Sequence, residues 1–280
     1  MLFASSQHIR ERRACLKVDL VEITMFSTPY LSGFLCAAAL LIATAGDAAE
    51  IIGGKEVRPH SLPYMALLEK KAPLCGGVLI DLMWVLTAAH CTGIERVLLG
   101  VHDRTKTNKD PCQKRKVNGQ FPHPCYDKSS RVNDLMLLKL DGAVKPTKAV
   151  NVLRLPKSDK DPLAGSSCMV AGWGWTSNIV RKMSNVLMSV NVTVVDRVKC
   201  NSSKYYNFNP IITKDMICAG SDGKKEADTC QGDSGGPLVC KGDLVGVTSF
   251  GPQKCGQIPG VYSFLSAKQL LWIKDVMKKN

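Results

Sequence analysis

Asp228-Thr229-Cys230-Gln231-Gly232-Asp233-Ser234-Gly235-Gly236 gathers one serine hydroxyl, two carboxylates and three glycines into nine residues. A serine hydroxyl is a weak nucleophile at its own pKa, so it needs a general base and donors for any oxyanion it creates. The flanking glycines let the chain turn tightly enough to aim the N–H groups of Gly232 and Ser234 at one point, an oxyanion hole. Taken alone, the same residues also fit an ordinary polar turn between two strands. The chemical reading therefore depends on a base and an acid elsewhere. Of the five histidines, His8 lies in an N-terminal leader, and His60, His102 and His123 sit among polar or proline-containing loops that suit structural or solvated imidazoles. His90 ends Trp84-Val85-Leu86-Thr87-Ala88-Ala89-His90-Cys91, an apolar, β-favouring run that enters a short turn. Asp134 heads the apolar run Leu135 to Leu140, where partial burial obliges a carboxylate to find a partner. An acid that orients an imidazole, which in turn deprotonates a serine, is the constellation for acyl transfer.

The elements that must position these residues read as strands. Glycine (23) and proline (14) are plentiful and turn signals are frequent, which favours an all-β sandwich or barrel of short strands. One helix stands out at the C-terminus, where Leu270, Ile273, Val276 and Met277 share a face within Ala267 to Lys279. At the other end, residues 1–24 are polar and charged and read as an N-terminal extension of doubtful translation. Residues 25–48 follow as a signal peptide. Its apolar stretch, Leu31 to Ala45, is short for a bilayer span, so a removable signal rather than a stable anchor is expected. Cleavage after Ala48 leaves the dipeptide Ala49-Glu50 before a domain of residues 51–280. Twelve cysteines agree with an oxidising compartment.

Six motifs in order carry a family resemblance: Ile51-Ile52-Gly53-Gly54, Thr87-Ala88-Ala89-His90-Cys91, Asp134-Leu135, Gly172-Trp173-Gly174, Gly232-Asp233-Ser234-Gly235-Gly236 and Pro259-Gly260-Val261-Tyr262. The chain resembles the chymotrypsin-like (trypsin-type) serine proteases over residues 51–280, and its His…Asp…Ser order differs from that of subtilisin-like and α/β-hydrolase triads. The resemblance implies two six-stranded antiparallel β-barrels, residues 51–156 and residues 157–280 with the C-terminal helix, and a triad of His90, Asp134 and Ser234. It implies an activation pair in which a freed Ile51 amine meets Asp233. It also implies a substrate pocket with Asp228 at its base, selecting Arg or Lys by charge pairing, alongside Thr229, Ser249, Phe250, Gly251 and Gly260. The disulfides implied are Cys75–Cys91, Cys168–Cys240, Cys200–Cys218 and Cys230–Cys255; spacing alone does not give this connectivity. No cofactor or metal is implied, and the basic loop Val101 to Gln113 lacks the acidic ligands calcium requires.

Within that family the chain is similar to the granzyme A/K group. Glu50 stands where many relatives have Arg or Lys, so activation by a dipeptidyl peptidase, which would remove Ala49-Glu50, is expected instead. Phe121 to Asp127 resembles the granzyme segment whose cysteine bridges two subunits, so Cys125 is a candidate interchain disulfide. Cys125 could instead close a local loop with Cys112. The sequons Asn191-Val192-Thr193 and Asn201-Ser202-Ser203 mark Asn191 and Asn201 as glycosylation candidates. Thr248-Ser249-Phe250-Gly251 also leans to granzymes, with secretion and storage in cytotoxic granules implied.

The chain carries a formal charge of +13. Because residues 1–50 are slightly acidic, the excess belongs to residues 51–280. Lys114-Arg115-Lys116, Lys224-Lys225 and Lys278-Lys279 read either as solvated surface or as contacts for a sulfated proteoglycan. No nucleic-acid-binding motif accompanies them. Kallikrein and digestive-trypsin readings share Asp228, and Glu50 argues against both. An inactive binding protein on the same fold would be expected to have lost part of the triad, and here all three residues are present.

Overall fold

The structure, a computed structural model, describes residues 51–108, 111–156, 159–221 and 227–280. The leader readings at 1–24, 25–48 and 49–50, and Lys224-Lys225, lie outside them. After β1 (Lys55–Glu56), six strands form the first barrel: β2 (Met65–Glu69), β3 (Pro73–Asp81), β4 (Trp84–Thr87), β5 (Arg96–Leu99), β6 (Gln113–Pro122) and β7 (Met136–Leu140), closed in the order β2-β3-β4-β7-β6-β5. The second comprises β8 (Ser167–Gly172), β9 (Met188–Val195), β10 (Met216–Gly220), β11 (Pro237–Cys240), β12 (Asp243–Phe250) and β13 (Gly260–Phe264). Pairing of β8 with β9 closes this ring, and β1 adds to β9 as a seventh strand. All pairings are antiparallel. Closure leaves few open edges, and the all-β, two-barrel expectation holds.

Burial follows each strand's surroundings. β6 alternates partly buried and exposed residues along its length, whereas Trp84 to Thr87 of β4 are buried throughout. The core that buries β4 also takes in α2 (Ala267–Lys279). Its Leu270 and Ile273 are buried in the cluster that contains Trp84, Leu86 and Leu137 of the first barrel, with Trp272, Val276 and Met277 packed against it. The apolar face read from the sequence is thus real. It covers the first barrel, although in sequence the helix follows the second. Ser266 at the helix N-cap donates its hydroxyl to Gln269, whose side-chain N–H bonds Asn133 at 2.9 Å, beside the acid of the candidate site.

The four disulfides implied by resemblance all form. Cys125 is exposed and outside any disulfide, and Cys112 is partly buried. The two sequons have different surroundings. Asn191 is exposed on β9. Asn201, at the end of the short helix α1 (Arg197–Asn201), is buried, and its amide both donates to Ile212 O (2.9 Å) and accepts from Ile212 N (2.8 Å). A glycan replaces one hydrogen of that nitrogen and would have to fit this buried setting, so Asn191 is the more accessible of the two sequons.

Candidate active site

His90 is positioned by what precedes and follows it. β4 ends at Thr87, and Ala88 and Ala89 are small enough to be buried without displacing the chain. The turn then closes with Cys91 N–H donating to Ala88 O (3.1 Å), and Cys91 is tied to Cys75 on β3. Asp134 lies two residues before β7 and is wholly buried. One of its carboxylate oxygens accepts the His90 backbone N–H (2.9 Å) and the other meets His90 Nδ1 at 2.7 Å. The second oxygen also accepts the Ser249 hydroxyl at 2.5 Å. A carboxylate so placed holds the proton on Nδ1 and leaves Nε2 as the basic atom. Ser249 reaches it because the β12–β13 register shifts between Thr248 and Phe250. A bulge of this kind re-aims a side chain, here towards the acid.

Ser234 comes from the second barrel but is fixed by both. Its carbonyl accepts Gly76 N–H from β3 (2.8 Å), and Gly235 N–H donates to Thr248 O of β12 (2.9 Å). Gly235 has φ +80°, and a Cβ there would lie 2.0 Å from Thr87 Oγ1, so only glycine fits where the barrels touch. Gly232 is also left-handed, at φ +101°. Among the described residues neither Gly232 N–H nor Ser234 N–H donates to another backbone carbonyl. Ser234, Gly232 and His90 line one cleft of about 440 Å³ with Thr229, Ser249, Phe250 and Gly251. Two of the three predicted triad residues thus share a cleft with four of the predicted pocket residues, and Asp134 joins them through its bond to His90.

Two buried carboxyls set the electrostatics. Asp233, fully buried, accepts Gly174 N–H (2.7 Å) and Cys230 N–H (2.9 Å). A Cβ on Gly172 or Gly174 would fall 2.1 or 2.4 Å from its oxygens, which accounts for the Gly172-Trp173-Gly174 motif. Burial pushes its pKa up to about 7 despite those two bonds. Ile51 is also fully buried, and Ile52 packs on the Cys230–Cys255 disulfide. Asp228 is the second. One of its oxygens accepts Gly256 N–H at 2.8 Å, while the other is buried without a hydrogen-bond partner. Burial again dominates, raising the group to about 7, with the nearby backbone N–H groups of Gly256 and Thr229 opposing and Asp233 adding to the rise. Gly260 closes over it: a Cβ there would stand 2.7 Å from the unpartnered oxygen.

Arg131 went unread in the sequence because nothing in its loop marks it. It lines the cleft, donates to Tyr126 Oη (3.2 Å) and sits 3.9 Å from Asp134. One three-residue cluster of potential metal ligands occurs among the described residues: Cys75, His90 and Cys91. Its two sulfurs are joined to each other, so it offers no thiolate to an ion.

Two antiparallel barrels with a buried aspartate bonded to a cleft histidine on one and a serine turn on the other define a serine endopeptidase of the chymotrypsin fold. The chain belongs to the trypsin family, whose model matches residues 51–273. It is 49% identical to granzyme A of Bos taurus, covering 81% of this chain and 88% of that protein. It is 42% identical to kallikrein-11 of Mus musculus, covering 88% and 89%. Among solved structures it is similar to neuropsin, a serine protease expressed in the limbic system of mouse brain, with TM-score 0.71 and 38% identity over 80% of this chain and 98% of that one.

The raised carboxyls predict a pH dependence for the chain in which Glu50 still precedes Ile51. Between the ordinary value of 3.8 and about 7, the folded state holds protons that the unfolded state has released. Stability must therefore fall as pH rises through that window. Thermal melts of a Ser234→Ala precursor should show Tm decreasing across it, and Asp233→Asn should flatten the slope. An unchanged slope in that variant would show that Asp233 is not the titrating group.

Proposed function

We propose that this chain is a granzyme A-like endopeptidase that cleaves after Arg or Lys, and that His90, Asp134 and Ser234 are its triad. The observation that carries the specificity is the unpartnered, buried oxygen of Asp228, a site that lacks a cation donor. A guanidinium or ammonium entering the cleft supplies one, in a desolvated slot where charge-assisted bonds are strong. In the reaction, Ser234 Oγ attacks the peptide carbonyl as His90 Nε2 takes its proton, with Gly232 and Ser234 N–H groups holding the oxyanion. His90 returns the proton to the leaving amine, and water then repeats the sequence to release the acid. Arg esters should be turned over far faster than Phe esters. Asp228→Ser should reduce kcat/KM for Arg by roughly 10⁴-fold; equal turnover of both esters by the wild type would refute the assignment.

Kallikrein relatives make a kallikrein-like role the second reading, sharing Asp228 and hence substrate class. Glu50 and the surroundings of Cys125 favour the granzyme role. We propose removal of Ala49-Glu50 by a dipeptidyl peptidase, pairing of the freed Ile51 amine with Asp233, and a homodimer linked through Cys125, whose exposure leaves it open to a second subunit. A buried ammonium–carboxylate pair is costly unless both partners are present, which makes it a switch. N-terminal sequencing and non-reducing mass analysis of the secreted active enzyme should find Ile51 first, a dimer mass, and glycan on Asn191. A different first residue, or a monomer, would remove the corresponding claim.

Storage with a sulfated proteoglycan is supported by Lys114 and Lys116, which are exposed together on β6. Salt-dependent retention on heparin is the expected behaviour. Elution at low salt, like a neutral protein, would count against it.

A further inference from the structure

Asn178 joins the loop after Trp175 to the wall of the specificity pocket by paired hydrogen bonds. Its Nδ2 donates to Cys255 O at 2.8 Å, and its Oδ1 accepts Cys255 N–H at 2.9 Å. A side-chain amide used this way stands in for a peptide group, giving Cys255 the two-bond pairing it would have in an antiparallel ladder. Gly256, the next residue, donates its N–H to Asp228 at 2.8 Å. A short covalent and hydrogen-bonded path thus runs from Asn178 through Cys255 and Gly256 to the carboxylate at the pocket floor.

The rest of the loop explains why the clamp is needed. Its tip is not held by apolar burial, since Ile179 is 92% and Val180 61% exposed. Ser177 shapes the tip by accepting the N–H groups of Ile179 (3.0 Å) and Val180 (3.3 Å). Trp175 N–H anchors the base of the loop to Gln231 O (2.8 Å). That anchor lies on the oxyanion side of the Cys230–Cys255 disulfide, and Asn178 holds the other side.

We infer that Asn178 is a positioning residue for the specificity pocket: it fixes Cys255 and Gly256 so that Asp228 presents its free oxygen to an entering basic side chain. This rests on the reading of Asp228 as the specificity group. Because the clamp acts on the pocket wall and not on His90, Asp134 or the Ser234 turn, its loss must weaken binding more than chemistry.

The test uses mature enzyme, wild type against Asn178→Ala and Asn178→Asp, with benzamidine as the pocket probe and an Arg ester as substrate. For Asn178→Ala, the benzamidine Ki and the KM should each rise about tenfold, as expected for two lost hydrogen bonds. The kcat should change little, and active-site titration should count the same fraction of reactive serine. Asn178→Asp keeps the acceptor for Cys255 N–H but sets a charge against Cys255 O, so it should not restore wild-type Ki. Unchanged Ki and KM in Asn178→Ala would overturn the inference. So would a fall in kcat or titratable serine with Ki preserved, which would make the loop a support of the oxyanion turn instead. If the wild type prefers Phe esters, the Asp228 reading fails by itself. The clamp is then judged by the same KM-against-kcat split on the preferred ester.

Discussion

A carboxyl sealed from water must hold either a proton or a cation, and Asp233 meets that demand at the centre of this molecule. Its two backbone donors, Gly174 and Cys230, belong to the loop and the disulfide that flank the catalytic turn. Its seat exists only because Gly172 and Gly174 have no side chains. The Ser234 turn follows this group directly, and the wall carrying Cys230 is bonded to it. The ionisation of Asp233 therefore bears directly on the segments of Gly174 and Cys230 that it holds.

The barrels divide the remaining work. The first supplies His90 and Asp134 from the segments just after β4 and just before β7, strands that pair directly through Thr87 and Met136. The second supplies Ser234 and the cleft walls at Thr229 and Phe250, and it also reaches across: Ser249 bonds the Asp134 carboxylate, and Ser263 donates to Asp134 O at 3.2 Å. Backbone bonds such as Gly76 N–H to Ser234 O lock the halves in register. A triad assembled across such an interface keeps its geometry only if both barrels are intact.

Much of this was legible because the decisive residues are constrained in type. Ser234, His90, Asp134 and the glycines around Asp233 admit few substitutes, so their spacing carries the fold and the site together. The C-terminal helix was visible as a helix but not as a cover for the first barrel, since an apolar stripe does not name its partner. Asn201 illustrates a different limit. A sequon records local sequence, whereas the bonds to Ile212 that occupy its amide depend on tertiary folding. Arg131 and Asn178 lie in loops whose course no periodicity reports.

The placement of α2 bears on how this architecture can be divided. The helix follows the second barrel in sequence yet completes the core of the first, while β1 precedes the first barrel and extends the sheet of the second. Each half therefore borrows an end of the chain from the other, like two hands with crossed thumbs. A hybrid that exchanges one barrel between relatives at the connecting segment would separate each core from its own covering piece. The exchangeable unit is instead a barrel together with the distant terminal segment packed on it.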